Sequence, residues 1–129
     1  MKELQHLHIL LKAELAHPKA LDLEGLKRWA GEVVTNQGLE PVIGPNVVYV
    51  EDEGNEGPTG GVNIKTSHFA FHIWDKLGII QADLYTCGDL DVEQFIREFD
   101  VFHPLSVSYL VLDRAEGFNI LFSATNALV

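Results

Sequence analysis

Hydrophobic and polar positions alternate in several short stretches of the chain, as they do in half-buried strands. Five of these stretches are rich in β-branched and aromatic side chains, and we predict strands at about residues 46–51, 66–74, 79–87, 107–113 and 118–123. Short polar turns that end in glycine join the second strand to the third and the fourth to the fifth. We therefore expect two β-hairpins, closed by residues 75–78 and 114–117.

Two longer segments have their apolar residues at helical spacing instead. The first predicts a helix over about residues 22–37, with Asp22 as its N-cap and Gly38 as its C-terminal stop. The second begins after Asp91, has Gln94 at the capping-box position, and ends at the next proline. Each helix has one apolar face, which favours packing against a sheet.

Two further segments complete the expected architecture. Residues 7–16 (LHILLKAELA) alternate at first but also carry a helical stripe of leucines, so periodicity leaves strand and helix open. Residues 51–61 (EDEGNEGPTGG) are acidic and glycine-rich, and we expect an exposed loop between two strands. Because hairpins outnumber crossovers in this order, we predict an α+β sandwich with a largely antiparallel sheet, as a single domain over residues 1–129.

Composition narrows the possible functions. The 129 residues, 47% of them hydrophobic and 22% charged, are enough for one globular domain with a core. A formal charge of -10 repels phosphate backbones and anionic lipids, so we expect neither nucleic acid nor a membrane surface as a partner. The start of the chain has no signal-peptide pattern, and no apolar run approaches the roughly 20 residues that span a bilayer. With a single cysteine and no internal disulfide, the protein is expected to be cytoplasmic.

The first predicted hairpin brings together side chains that could take part in catalysis. If residues 75–78 close the turn, Ser67 lies opposite Thr86, His72 lies opposite Gln81, and Cys87 lies beside Ser67. Ser67 and His72 are separated by an odd number of positions, so an unbroken strand points them to opposite faces. A bulge between them would be needed to bring the hydroxyl, the imidazole and the thiol together.

The same residues also fit roles that are not catalytic. A single cysteine is often a small apolar filler, and a serine at a strand end often only bonds a turn. Metal binding is another option, because His6 and His8 alternate along one possible strand and His68 and His72 along another, although no third ligand is evident. The residues alone leave packing, catalysis and metal binding open.

The hairpin resembles the core motif of the small prokaryotic S-adenosylmethionine decarboxylases, a pyruvoyl-dependent family. That motif runs E-S-H-x-x-x-H-T-W-P-E and then D-L-F-T-C-G, and this chain has TSHFAFHIWDK at residues 66–76 and DLYTCG at 83–88, with the same spacing. The resemblance implies a two-layer α/β protomer with helices on one face of the sheet. It also implies an isologous homodimer with its sites near the interface.

The resemblance further implies a role for each matching residue. Ser67 would become a pyruvoyl group when the chain cuts itself between Thr66 and Ser67. His72 would transfer protons during that processing, with the hydroxyl of Thr59 as a helper. The pyruvoyl group would withdraw electrons while carbon dioxide leaves the substrate, with no separate cofactor and no metal. Cys87 would then donate a proton to the substrate carbon.

Two departures from the motif bear on activity and substrate. Thr66 replaces a glutamate, and its β-branch crowds the bond to be cut. Lys76 replaces the glutamate that would bind the ribose hydroxyls, and a lysine accepts no hydrogen bond and repels a sulfonium. Lys76 either faces the substrate or simply faces water at the turn. Phe69 and Trp74 are candidates for stacking on a ligand base.

Three functions follow as alternatives. The first is decarboxylation of S-adenosylmethionine in spermidine synthesis. The second is decarboxylation of a different amino acid, one with an extra carboxylate or phosphate for Lys76 to bind. The third is an unprocessed homologue that keeps the fold as a binding or regulatory protein.

Overall fold

The computed structural model describes residues 6–16, 21–115 and 117–127. In chain order its strands and helices are β1 (Leu7–Leu15), α1 (Leu23–Thr35), β2 (Pro41–Val50), β3 (Gly57–Ile64), β4 (Ser67–Trp74), β5 (Ile79–Thr86), α2 (Val92–Arg97), β6 (Pro104–Asp113) and β7 (Asn119–Ala127). A 3-10 helix, Glu98–Phe102, continues α2. The expected absence of a leader rests partly on residues 1–5 and 17–20, and the second expected turn includes residue 116, all outside the described residues.

All seven strands form one sheet in the order β2-β3-β4-β5-β1-β6-β7, and every neighbouring pair is antiparallel. β1 lies inside the sheet between β5 and β6, so the segment 7–16 forms a strand, over Leu7–Leu15. The alternating residues of this segment face the core, since Ile9, Leu11 and Ala13 are all buried on the same face of the sheet. The predicted α+β fold with a largely antiparallel sheet is confirmed.

Both predicted helix caps are present. Oδ1 of Asp22 accepts from the backbone N of Gly25 at 2.7 Å, and Oδ1 of Asp91 accepts from the backbone N of Gln94 at 3.0 Å. The capping box at α2 is incomplete, because the backbone N of Asp91 donates to Oε1 of Gln37 at 2.9 Å and not to Gln94. Gln37, just beyond α1, therefore ties the two helix ends together.

The helices cover one face of the sheet and enclose an aromatic core. Trp29 of α1 lies at its centre, and its Nε1 donates to the carbonyl oxygen of Glu98 at 2.6 Å. Around that indole, with ring centroids 5.0 to 5.5 Å away and nearly perpendicular, lie Phe69, Phe71, Phe99 and Phe102. Burial of each such ring contributes on the order of 2 to 3 kcal/mol, so this cluster fixes the helices on β4.

The expected loop at residues 51–61 is wrong in its second half, because β3 already begins at Gly57. Glycine is usually depleted in strands, but here the neighbouring strands approach too closely for a side chain. A Cβ on Gly60 would lie 2.5 Å from the carbonyl oxygen of Asn46, and one on Gly61 would lie 2.7 Å from that of Phe69. The glycines therefore serve a tight strand pairing, which composition alone does not distinguish from a loop.

The opposite face of the sheet carries no helix among the described residues. A shallow cavity of about 670 Å³ crosses its middle, with Leu10, Lys12, Ala70, Gln81, Asp83 and Leu110 among its lining. Within the described part of the chain, no helix is long and apolar enough to cross a membrane. We refer to this uncovered side of the sheet as the open face.

Candidate functional site

The β4–β5 hairpin has the register that its turn predicts. His72 pairs with Gln81 and Trp74 pairs with Ile79, and no bulge interrupts the ladder. Ser67 and His72 therefore lie on opposite faces of one strand, about 16 Å apart at 3.3 Å per residue. The structure does not bring the predicted hydroxyl and imidazole together within one chain.

Ser67 and Cys87 do meet, on either side of the same peptide bond. The backbone N of Cys87 donates to Oγ of Ser67 at 3.3 Å, and Sγ of Cys87 lies 3.5 Å from the carbonyl oxygen of Thr66. Thr86 fixes this corner, because its buried Oγ1 accepts from the backbone N of Gly88 at 3.0 Å. A hydroxyl nucleophile and a thiol donor thus flank the carbonyl group that joins Thr66 to Ser67.

Thr59 and His72 form a second group near the other end of β4, where they are register partners. Oγ1 of Thr59 donates to the carbonyl oxygen of Phe71 at 3.3 Å. Nε2 of His72 lies 3.0 Å from the carbonyl oxygen of Asn55 and donates to it, because a carbonyl only accepts. Trp74 packs on the imidazole at 4.3 Å and donates from Nε1 to Oδ1 of Asn55 at 3.0 Å. The hydrogen on Nε2 leaves Nδ1 of His72 as the nitrogen that can take a proton.

Lys76 contacts the acidic loop, residues 51–56. Its Nζ pairs with Oε2 of Glu56 at 2.7 Å, although the lysine side chain is 76% exposed. This hydrogen bond is the largest cause that lowers the pKa of Glu56. The neighbouring Asp75 donates its backbone N to the carbonyl oxygen of Glu56 at 3.0 Å, and its Oδ2 accepts from the hydroxyl of Tyr49 at 2.8 Å. The loop is therefore docked on the hairpin tip.

The two aromatic candidates occupy different environments. Phe69 is 1% exposed on the helix-covered face, where its ring packs against Trp29 and Phe95. A ring enclosed in this way has no face left for a ligand, so its position assigns Phe69 to the core. Trp74 is half-buried beside His72 and keeps an accessible surface.

A cluster of two histidines and an aspartate lies on the open face. The sequence had indicated the alternating histidines but not the aspartate. Nε2 of His8 and Nε2 of His68 each lie 2.7 Å from Oδ2 of Asp83. Burial raises the pKa of Asp83, but the hydrogen bonds from the two imidazoles outweigh it, and the pKa lies below its usual value. The register unites this trio, because His8 and His68 both pair with Tyr85, two residues beyond Asp83.

The trio has the ligand types of a metal site, with its three donor atoms within 4.8 Å of one another. Arg114 decides against that use, because its Nη1 lies 3.1 Å from Nδ1 of His8. A guanidinium only donates, so Nδ1 holds the lone pair and Nε2 holds the hydrogen that Asp83 accepts. His8 therefore offers no lone pair toward Asp83 and His68, and the trio is a hydrogen-bond network.

Tyr85 is a site neighbour that the sequence interpretation missed. Its hydroxyl lies 2.7 Å from Nδ1 of His6 and 3.9 Å from Sγ of Cys87, and the guanidinium carbon of Arg114 lies 4.2 Å from its ring centroid. Partial burial raises the pKa of Tyr85, the hydrogen bond with Cys87 adds to this, and Arg114 opposes it. The sequence does hold one indication of this contact. Tyr85 stands two residues before Cys87, and residues two apart in extended chain point to the same side.

Comparisons with known proteins bear on the family and on the fold. The family model described as S-adenosylmethionine decarboxylase matches residues 7–115. The S-adenosylmethionine decarboxylase proenzyme of Archaeoglobus fulgidus is 42% identical over 60 residues, 45% of this chain and 54% of that protein. That of Picrophilus torridus is 37% identical over 62 residues, 45% of this chain and 46% of that protein. The chain thus spans about half the length of the curated relatives it matches.

A solved structure supports the fold. The crystal structure of the adenosylmethionine decarboxylase from Aquifex aeolicus superposes with a TM-score of 0.64, covering 96% of this chain and 100% of that one at 22% sequence identity. At that identity the likeness concerns the fold alone. Because the family model extends over most of the chain, from β1 to the residues just after β6, this chain belongs to the S-adenosylmethionine decarboxylase family.

Proposed function

We propose that this chain is a pyruvoyl-dependent decarboxylase of S-adenosylmethionine, which would serve spermidine synthesis, and that it cuts itself between Thr66 and Ser67. The observation that carries the proposal is the placement of Oγ of Ser67 and Sγ of Cys87 around that single peptide bond. A serine with a purely structural role at a strand end has no need of a thiol on the preceding carbonyl.

In the proposed self-cleavage, Oγ of Ser67 attacks the carbonyl carbon of Thr66, and the acyl group moves from nitrogen to oxygen. The carbonyl oxygen gains negative charge during this attack, and the thiol of Cys87 is placed to donate to it. Elimination then releases Thr66 as a carboxylate, and hydrolysis of the remaining enamine releases ammonia. The residues present at this corner therefore fit formation of a pyruvoyl terminus at position 67.

When formed, the pyruvoyl group supplies the electron sink for loss of carbon dioxide. The chain's own contribution at this stage is the thiol of Cys87, which donates a proton to the substrate carbon. A thiol suits this task because its S–H proton can be passed to a carbanion. A thiol that must stay free also fits a reducing compartment such as the cytoplasm.

We further propose that the working form is a homodimer whose site is shared between two copies. His72, whose register partner on β3 is Thr59, lies about 16 Å from Ser67 along β4, too far to transfer protons to it within one chain. A two-fold axis that brings two open faces together can place one end of β4 over the opposite end in a second copy, where His72 would meet the Thr66–Ser67 peptide bond at the strand end and not the Ser67 side chain on the other face. Exposed apolar side chains on that face, among them Leu10 at 40% and Ile120 at 64%, support such a contact.

Lys76 and Trp74 complete the proposed substrate site, at the same end of β4 as His72. The pairing of Lys76 with Glu56 offsets part of its charge, which reduces the repulsion expected for a sulfonium. The open alternative for the substrate is a different amino acid with an added anionic group. That alternative predicts release of carbon dioxide from another amino acid and little from S-adenosylmethionine.

Release of carbon dioxide from carboxyl-labelled S-adenosylmethionine tests the proposed function. The purified protein should release label, and the Ser67→Ala variant should release none because it can form no pyruvoyl group. Release from the Ser67→Ala variant at the wild-type rate would refute the pyruvoyl mechanism. No release by either protein, with an intact chain in both, would favour the unprocessed binding or regulatory homologue.

A further inference from the structure

Three side chains form a line that leads from the candidate site to the protein surface. Sγ of Cys87 lies 3.9 Å from the hydroxyl oxygen of Tyr85, and that oxygen lies 2.7 Å from Nδ1 of His6. Tyr85 lies near the end of β5 and Cys87 immediately follows that strand, whereas His6 immediately precedes β1. The line therefore crosses two strands and ends at a half-buried imidazole.

Each member of the line is held in place by other contacts. The carbonyl oxygen of His6 accepts from the backbone N of Arg114 at 2.8 Å, and the guanidinium of the same arginine lies over the ring of Tyr85. In the uncleaved chain, the sulfur of Cys87 has a second contact, with the carbonyl oxygen of Thr66. Arg114 thus positions both His6 and Tyr85.

We propose that Tyr85 and His6 form a proton relay that exchanges the proton of the Cys87 thiol with solvent. The relay rests on the proposed function for its use in turnover, but its existence is a property of the three side chains. Tyr85 and His6 act through Cys87 and do not themselves need to touch substrate.

In each turnover, every proton that a member of the relay gives up is replaced. Cys87 gives its S–H proton to the substrate carbon and becomes a thiolate. The hydroxyl of Tyr85 gives its proton to that thiolate while it takes one from Nδ1 of a protonated His6, so no free phenolate accumulates. His6 is then neutral and recovers its proton from solvent, a task for which an imidazole is the usual side chain.

The other charged groups around the line leave His6 as its terminal member. His8 and His68 face the ring of Tyr85 from β1 and β4, at centroid distances of 5.5 and 6.0 Å, but their Nε2 atoms are both bonded to Asp83. Arg114 carries a permanent positive charge that stabilises negative charge on the hydroxyl oxygen of Tyr85 during transfer. Among these groups only His6 has a contact with the hydroxyl of Tyr85.

The pH dependence of Cys87 alkylation tests the relay directly, because the chain has one cysteine and iodoacetamide reacts with its thiolate. With the relay present, the hydroxyl of Tyr85 donates to sulfur when His6 is protonated and turns toward Nδ1 when His6 is neutral. The rate should therefore follow two ionisations between pH 5 and 10. Tyr85→Phe and His6→Gln should each reduce the profile to one ionisation.

Loss of the hydroxyl in Tyr85→Phe should also raise the midpoint of thiol ionisation by about 0.7 pH unit, the equivalent of one hydrogen bond. Phenylalanine is the residue of the family motif at this position, so the ring should be accommodated. Tyr109→Phe removes a hydroxyl from a ring that packs on Phe122, outside the line, and should leave the profile unchanged.

Profiles of the wild type, Tyr85→Phe and His6→Gln that coincide would overturn the relay. So would a His6→Gln profile that keeps both ionisations, and this variant gives the test even if Tyr85→Phe fails to fold. The measurement needs no turnover, so absence of carbon dioxide release would count against the proposed function only.

Discussion

The thiol of Cys87 lies 3.5 Å from the carbonyl oxygen of Thr66, on the peptide bond that leads to Ser67. This contact gives one side chain two proposed tasks at different stages. Before cleavage the thiol polarises the carbonyl that is attacked, and after cleavage it donates a proton to the substrate. Under the proposed function, a thiol at the corner where β5 ends beside the start of β4 would serve both stages.

Substitutions of Cys87 should separate these two tasks. Cys87→Ala removes the donor and should slow self-cleavage a few-fold, because an S–H donor is weak, while turnover falls by about 100-fold or more. Cys87→Ser keeps an O–H donor and should restore cleavage, but a hydroxyl is a poorer acid, so turnover should stay low. Cleavage is measured by gel and mass, and turnover by release of label. Equal turnover in Cys87→Ala and wild type would remove the thiol from the mechanism.

A site shared between two copies should be revealed by mixing defective subunits. Ser67→Ala lacks the nucleophile and His72→Ala lacks the proton-transfer group, and each alone should fail to cleave efficiently. In co-expressed mixed dimers, Ser67 of one copy and His72 of the other complete one site, so up to half of the His72→Ala chains should be cut. Two differently tagged chains make the cut species identifiable. No cleavage in mixed dimers confirmed by the tags would mean that the residues do not cooperate across an interface.

The network of His8, His68 and Asp83 should give a pH-dependent stability. The pKa of Asp83 is depressed in the folded state, so its contribution is present above the unfolded value near 3.9 and is lost as the pH falls through the folded value. Asp83→Asn should lower the free energy of unfolding by about 1 to 2 kcal/mol at pH 7, a range reduced for partial exposure.

Urea unfolding at pH 7 and pH 3 measures this contribution, and the difference between Asp83→Asn and wild type should shrink at the lower pH. Glu40→Gln, at an exposed carboxylate, serves as the matched control and should change stability little at either pH. A deficit in Asp83→Asn that is as large at pH 3 as at pH 7 would contradict an ionised Asp83 in the network.

Exchange of the charges of Lys76 and Glu56 should test the substrate assignment. The Lys76→Glu/Glu56→Lys double variant keeps an ion pair at the hairpin tip but puts a carboxylate at position 76. S-adenosylmethionine should bind it about tenfold more tightly in calorimetry, because hydroxyl groups gain an acceptor and the sulfonium gains attraction. Lys76→Glu alone controls for disruption of the loop. Unchanged affinity in the double variant would mean that position 76 faces water.

The fold was predictable where turn chemistry and alternation agree. The short turn before Gly78 sets the register of the β4–β5 hairpin, and that register follows from counting residues. The path of residues 51–61 was not predictable in the same way, because a tight strand pairing selects glycine just as a loop does. Residues 7–16 became a strand only because two partner strands were available, which local periodicity does not encode.

The candidate site was predictable where it is local in sequence. Ser67 and Cys87 are diagonal neighbours across one hairpin, so strand counting finds them. Asp83 meets His68 across the same hairpin, but it meets His8 only through the pairing of β1 with β5, which links residues 75 positions apart. Tyr85 and His6 are likewise 79 positions apart, so their contact depends on the order of strands in the sheet.

The intact mass of freshly purified protein under denaturing conditions is the most direct test of the central claim. The account predicts two fragments that meet at the Thr66–Ser67 bond, with the second lighter than the plain peptide by the mass of ammonia because it begins with a pyruvoyl group. Ser67→Ala should give one full-length species. A wild-type chain that stays full-length after long incubation would contradict self-cleavage at this bond, and with it the proposed decarboxylase mechanism.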